Sequence, residues 1–306
     1  MKGQVKNNFY AVTSILLMVV ALICSFFMWQ AAGGKDWYVL LIAVIVLILF
    51  PLNIILHEAG HIIAGQIMDM QFVSVRIGHM LVWREEGKLK FKVSPAQSVA
   101  GASTFFPKSP ENMRQRMLIV TLGGAICNFI YALLLFILYF ALSHHSLLTF
   151  FAMFAPLSLC EGIVALIPVV LPAGKTDGAV AYGLIEKNAD ERVMLAVLAA
   201  QGILNTKTFD EVPEKLLFRA PMVREDLPAR HAQLLLQVQY LLHTQKEEEA
   251  KKVLDRLGSL YDYLSEEAIE EAEHYRTYFA GSFQPRNTPL YGVNELETEL
   301  AQRLKK

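Results

Sequence analysis

The stretch Tyr38–Met68, YVLLIAVIVLILFPLNIILHEAGHIIAGQIM, decides the fold. As a helix its 31 residues would run about 46 Å, longer than a bilayer core of about 30 Å. Apart from Tyr38 at its start, its only ionisable side chains are His57, Glu58 and His61. Together they spell His57-Glu58-Ala59-Gly60-His61, an HExxH motif. Residues four apart share a helix face, so both imidazoles can address one ion. Glu58 follows the first imidazole and can reach a water on that ion rather than the ion itself. With this His and Glu content, about 0.014 such matches are expected by chance. Ionisable groups inside an apolar helix are costly and usually functional, so a metal site is the expectation. His57 stands 11 residues before Met68, which puts the motif roughly 15 Å along the helix from that end. Pro51 predicts a kink above it. Gly60 and Ala64 form a small-xxx-small face that admits another helix closely.

Working outward, three more apolar runs are long enough to span a membrane. Tyr10–Trp29 and Met117–Ser143 carry no charge, and Ser146–Pro172 carries only Glu161. The first run is too long for a signal-peptide core of about 7–15 residues and lacks a small-x-small cleavage site, so it reads as an uncleaved helix. The segment 69–116 holds eight Lys and Arg, and Lys2 and Lys6 precede the first run, whereas the opposite side holds only Lys35. By that asymmetry both termini and segment 69–116 are expected in the cytoplasm.

The chain as a whole fits a membrane part followed by a soluble part. Of its 306 residues, 54% are hydrophobic and 19% charged, against about 25% charged in soluble chains. Residues 1–178 hold 12 Lys and Arg against 8 Asp and Glu; residues 179–306 hold 16 against 21. This excludes a disordered chain, a collagenous repeat and a basic nucleic-acid binder. Cys24, Cys127 and Cys160 are scattered through apolar runs and form no disulfide framework. Residues 72–93 alternate: Val73, Val75 and Ile77, then Leu89, Phe91 and Val93 between lysines, with Glu86-Gly87 as the turn signal. They predict a cytoplasmic β-hairpin, either a structural edge or a strand that pairs with an extended peptide. Residues 186–306 predict a soluble helical domain. Leu234, Leu235, Val238, Leu241 and Leu242 follow helical spacing, Thr244-x-x-Glu247 reads as a capping box, and Gly258 can close the following helix.

The expected fold is therefore a mainly α polytopic membrane protein. It would have about four transmembrane helices, a three-helix core plus one N-terminal helix, with the cytoplasmic hairpin and helical tail. The expected divisions are 1–37 (N-terminal helix and outer loop), 38–185 (core) and 186–306 (tail).

A catalytic zinc typically has three protein ligands, and HExxH supplies two. Over residues 38–185 the sequence resembles the site-2 protease family of intramembrane zinc metalloproteases. The resemblance rests on His57-Glu58-Ala59-Gly60-His61, on Gly124-Ala125-Ile126-Cys127-Asn128 as a Gly-xxx-Asn element, and on Leu166-Ile167-Pro168 followed by Asp177-Gly178. Ala165 stands where that family has Asn, and the gap from Pro168 to Asp177 is longer than its pattern. The resemblance implies one zinc ion held by His57, His61 and Asp177, with Glu58 as general base. It implies that Asn128 steadies the site or the substrate backbone. Glu161 is the rival third ligand, or else a supporting partner of the site or a neutral packing group.

The function so implied is zinc-dependent intramembrane cleavage of peptide bonds in or near membrane-spanning segments. Its partners would be a transmembrane or membrane-associated protein or peptide, the bilayer of a bacterial cell membrane, and a protein docking on the tail; nucleic acid is not expected. A catalytically inactive binding or regulatory protein of the same fold is the alternative. A metal transporter is a weaker one, because no internal repeat is evident.

Overall fold

A computed structural model describes residues 2–33, 38–85, 88–93, 101–141, 152, 154–171, 174–205, 207–219, 221, 223–225, 227–264 and 266–279. The expected outer segments around Lys35 and at 143–146, and the Glu86-Gly87 turn, lie outside these residues. Four apolar helices come first: α1 (Lys2–Ala31), α2 (Tyr38–Ile67), α3 (Met113–Ala141) and α4 (Ala155–Leu166).

Two stretches among the described residues are long and apolar enough to cross a membrane, Asn8–Ala31 and Met113–Ala141, where four were expected. Helix α4 has 12 residues, about 18 Å, short of a bilayer core of about 30 Å. Helix α2 has 30 residues, but its side chains before Pro51 lie outside the described ones. On α1 and α3, Ile15, Leu16, Phe27, Leu133, Ile137 and Phe140 are exposed apolar side chains.

Small residues let α2 and α3 meet backbone to backbone. A Cβ placed on Gly123 would stand 2.6 Å from Gly60 O and 2.7 Å from the Ala64 Cβ. Helix α1 lies against α3 and α4, where Ala21 packs among Leu135, Phe154, Leu157 and Cys160, and Tyr139 donates to Met28 O at 2.8 Å.

Between α2 and α3 the chain forms a four-stranded antiparallel sheet of order β3-β2-β1-β4: β1 (Met70–Ile77), β2 (Met80–Glu85), β3 (Lys88–Val93) and β4 (Gly101–Pro107). The expected hairpin is thus part of a larger sheet, and its two runs are not partners. Gly78, at φ +55°, turns the chain eight residues earlier than the Glu86-Gly87 signal, so that β2 pairs with β1 and separates it from β3. Strand β4, which the alternation did not reveal, covers the other edge of β1. The buried Arg116 guanidinium ties this sheet to the helices, donating to Met68 O at 2.6 Å, to Ser109 O at 2.8 Å and to Asp69 O.

After α4 a short hairpin, β5 (Val170–Leu171) and β6 (Gly174–Lys175), leads into α5 (Asp177–Glu186) and α6 (Ala189–Leu204). The remaining helices are α7 (Glu214–Phe218), α8 (Pro228–His243), α9 (Glu247–Gly258) and α10 (Glu266–Phe279). Leu234, Leu235 and Val238 of α8 pack with Leu254 and Leu257 of α9 and Tyr275 of α10. Thr244 does not cap α9. Its hydroxyl turns back to Tyr240 O at 3.0 Å, ending α8, and Gln245 at φ +60° redirects the chain.

Candidate metal centre

The site is built where α2, α3 and α5 meet. One turn of α2 separates His57 from His61, whose rings stand edge to face at 4.8 Å. Their Nε2 atoms are 3.2 Å apart, and Asp177 Oδ2 lies 2.9 Å from His57 Nε2 and 3.3 Å from His61 Nε2. A tetrahedral zinc with bonds of about 2.0–2.2 Å holds its ligand atoms about 3.3 Å apart, so the triangle fits. Among the described residues, His57, His61 and Asp177 are the group able to hold a metal.

The hydrogen bonds around the triangle favour the same occupant. His61 Nδ1 donates to Val120 O at 2.8 Å, since a carbonyl can only accept. In neutral His61 this leaves a lone pair on Nε2, facing another imidazole nitrogen and a carboxylate oxygen. Converging acceptors of this kind are satisfied by a cation. On the far side of His57, the Asn128 Nδ2 is placed 3.4 Å from Nδ1, while the buried Asn128 Oδ1 has no partner. Turning the amide over resolves both: Oδ1 then accepts from Nδ1–H, the tautomer that frees Nε2 for a metal.

Gly124 keeps the centre open. A Cβ there would stand 2.5 Å from His57 Nε2 and 2.6 Å from His61 Nε2. Gly124→Ala is therefore expected to lower metal affinity roughly tenfold or more, read by titration against a chromophoric chelator. Unchanged affinity would put the ion on another side of the imidazoles.

The long gap between Pro168 and Asp177 is taken up by the β5–β6 hairpin, which returns the chain so that Thr176 N donates to Val169 O at 3.1 Å. Thr176 caps α5: its Oγ1 accepts from Ala179 N at 3.2 Å and donates to Ile167 O at 2.7 Å. Gly178 lies against Leu166 O, with no room for a Cβ. Asp177 is thereby held in the first turn of α5. Burial works against the neighbouring Lys175 charge, yet hydrogen bonds to Glu191 and Asp190 outweigh it and hold its pKa above the ordinary lysine value.

Glu58 is buried and is held from the sheet. Its Oε2 accepts a hydrogen bond from the Ser103 hydroxyl on β4, and Gly101 leaves room where a Cβ would meet the carboxylate. Neither residue was visible from motif spacing, because the contact depends on β4 pairing with β1. Asn53, one turn before His57, was also missed: it is buried and its Nδ2 has no partner. Glu161 on α4 is outside the metal group, with Oε2 buried and without a partner.

A family model described as Peptidase family M50 matches residues 43–270. No curated protein and no solved structure matches the chain.

Proposed function

The chain belongs to peptidase family M50, the site-2 protease family, and so to the metalloendopeptidases; from that premise we propose that it is a zinc-dependent intramembrane endopeptidase. The observation that carries the reading is the convergence of His57, His61 and Asp177 on one point.

When bound, zinc would supply Lewis acidity, acidifying a water and polarising the scissile carbonyl. His57, His61 and Asp177 would hold it. Glu58 would take a proton from the attacking water and pass it to the leaving amide nitrogen. Ser103 and Gly101 fix the direction of that carboxylate. Asn128 and the Val120 carbonyl hold the imidazole tautomers, as supporting groups do around metals. Asn53 and Glu161 each bring a buried polar atom without a partner. Such groups call for water or for a peptide backbone, and hydrolysis needs both.

The substrate is read as a membrane-spanning segment or membrane-released peptide, unwound where it is cut. Strand β4 is an edge of the sheet and carries Ser103, so an extended peptide could add along it beside Glu58. The exposed apolar faces of α1 and α3 support a membrane setting. Ser103→Ala should keep its metal and slow cleavage about tenfold, the worth of one hydrogen bond to a charged group. An unchanged rate would remove Ser103 from the site.

The reading is tested with purified protein and a transmembrane peptide. It requires stoichiometric zinc, cleavage abolished by a chelator and activity restored by zinc. Cleavage that persists in metal-free protein would sink it.

A further inference from the structure

The two strands that carry chemistry, β6 leading to Asp177 and β4 bearing Ser103, both rest on α6. The first contact is polar. Lys175 Nζ lies 2.6 Å from Glu191 Oε1 and 3.0 Å from Asp190 Oδ2, at the start of α6. Glu191 is only 3% exposed, and its carboxylate occupies the place where Gly183 of α5 would carry a Cβ. A charge so enclosed is retained only where its partner is held in place. Lys175 is two residues from Asp177, and Thr176 between them is tied to Ala179 N and Ile167 O.

The second contact is apolar. Leu195 and Leu198 of α6 pack against the cluster of Met70, Phe105, Met113 and Val120. Gly202 meets the end of β4, where a Cβ would stand 3.0 Å from Pro107 O. Past the helix, Asn205 Nδ2 donates to Gln71 Oε1 at 3.4 Å.

We infer that Glu191, at the start of α6, is a positioning residue for Asp177, acting through Lys175. The inference rests on Asp177 being the third ligand. A group that hydrogen-bonds a metal ligand changes affinity by about 10–100-fold when removed, and Glu191, which reaches Asp177 only along the chain from Lys175, belongs at the low end of that range. Asp190, the more exposed member of the pair, contributes less.

The test uses the full chain in nanodiscs, with zinc affinity read by chelator competition and peptide cleavage followed at rising zinc. Glu191→Gln should weaken zinc binding about tenfold or more, with activity restored by excess zinc; Asp190→Asn should change affinity less than about threefold. In a double-mutant cycle with Lys175→Met, the two changes should be strongly non-additive, because they break one contact. Folded Glu191→Gln protein with wild-type zinc affinity, or full additivity with Lys175→Met, would overturn the inference while leaving the peptidase reading standing. Wild-type protein that binds no zinc would overturn both.

Discussion

Glu58→Gln should bind zinc with unchanged stoichiometry and cleave a transmembrane peptide about 10²–10⁴-fold more slowly than the wild-type chain. The amide has nearly the shape of the carboxylate and keeps an oxygen to accept from Ser103, so packing at the base of α2 is preserved. What is lost is the capacity to take a proton. Because Glu58 is not among the group that converges on the metal position, the ion should stay. The two readouts separate the roles: unchanged zinc with lost cleavage marks a base, lost zinc marks a ligand. Retained cleavage in purified protein would remove Glu58 from the chemistry.

The second large effect is on the metal. Asp177→Ala should lower zinc affinity by more than about 100-fold, beyond the range for supporting groups, because it deletes one of three ligands. His57 and His61 would remain a turn apart on α2, with no carboxylate opposite. Glu161→Ala should leave zinc content near the wild-type value, since Glu161 lies outside the converging group. Zinc quantification of the two variants side by side decides the assignment. The reverse order would make Glu161 the ligand.

The imidazole pair was legible because helix geometry is local: four residues along one apolar helix are enough to predict a shared face. The close approach at Gly60 was legible for the same reason. The position of Asp177 required tertiary structure, since it lies 120 residues from His57 and reaches it through a hairpin and a capped helix. Strand β4 and the Ser103–Glu58 contact were not legible. No periodicity marks the residues around Ser103, and their strand character follows from pairing with β1. Nor did hydropathy alone separate a spanning run from the short helix α4, because apolar residues on both sides of a break add to the same run. At Thr244 a local motif misled, since the hydroxyl had a carbonyl of the preceding helix within reach.

The β5–β6 hairpin has a consequence for how such proteins vary. A hairpin brings the chain back to where it left, so its arms could grow by a rung on each side without displacing the carboxylate that follows. The number of residues between Pro168 and Asp177 is then free to drift over evolution while their separation in space is held. A pattern search that insists on one fixed interval would pass over kindred chains whose chemistry is the same.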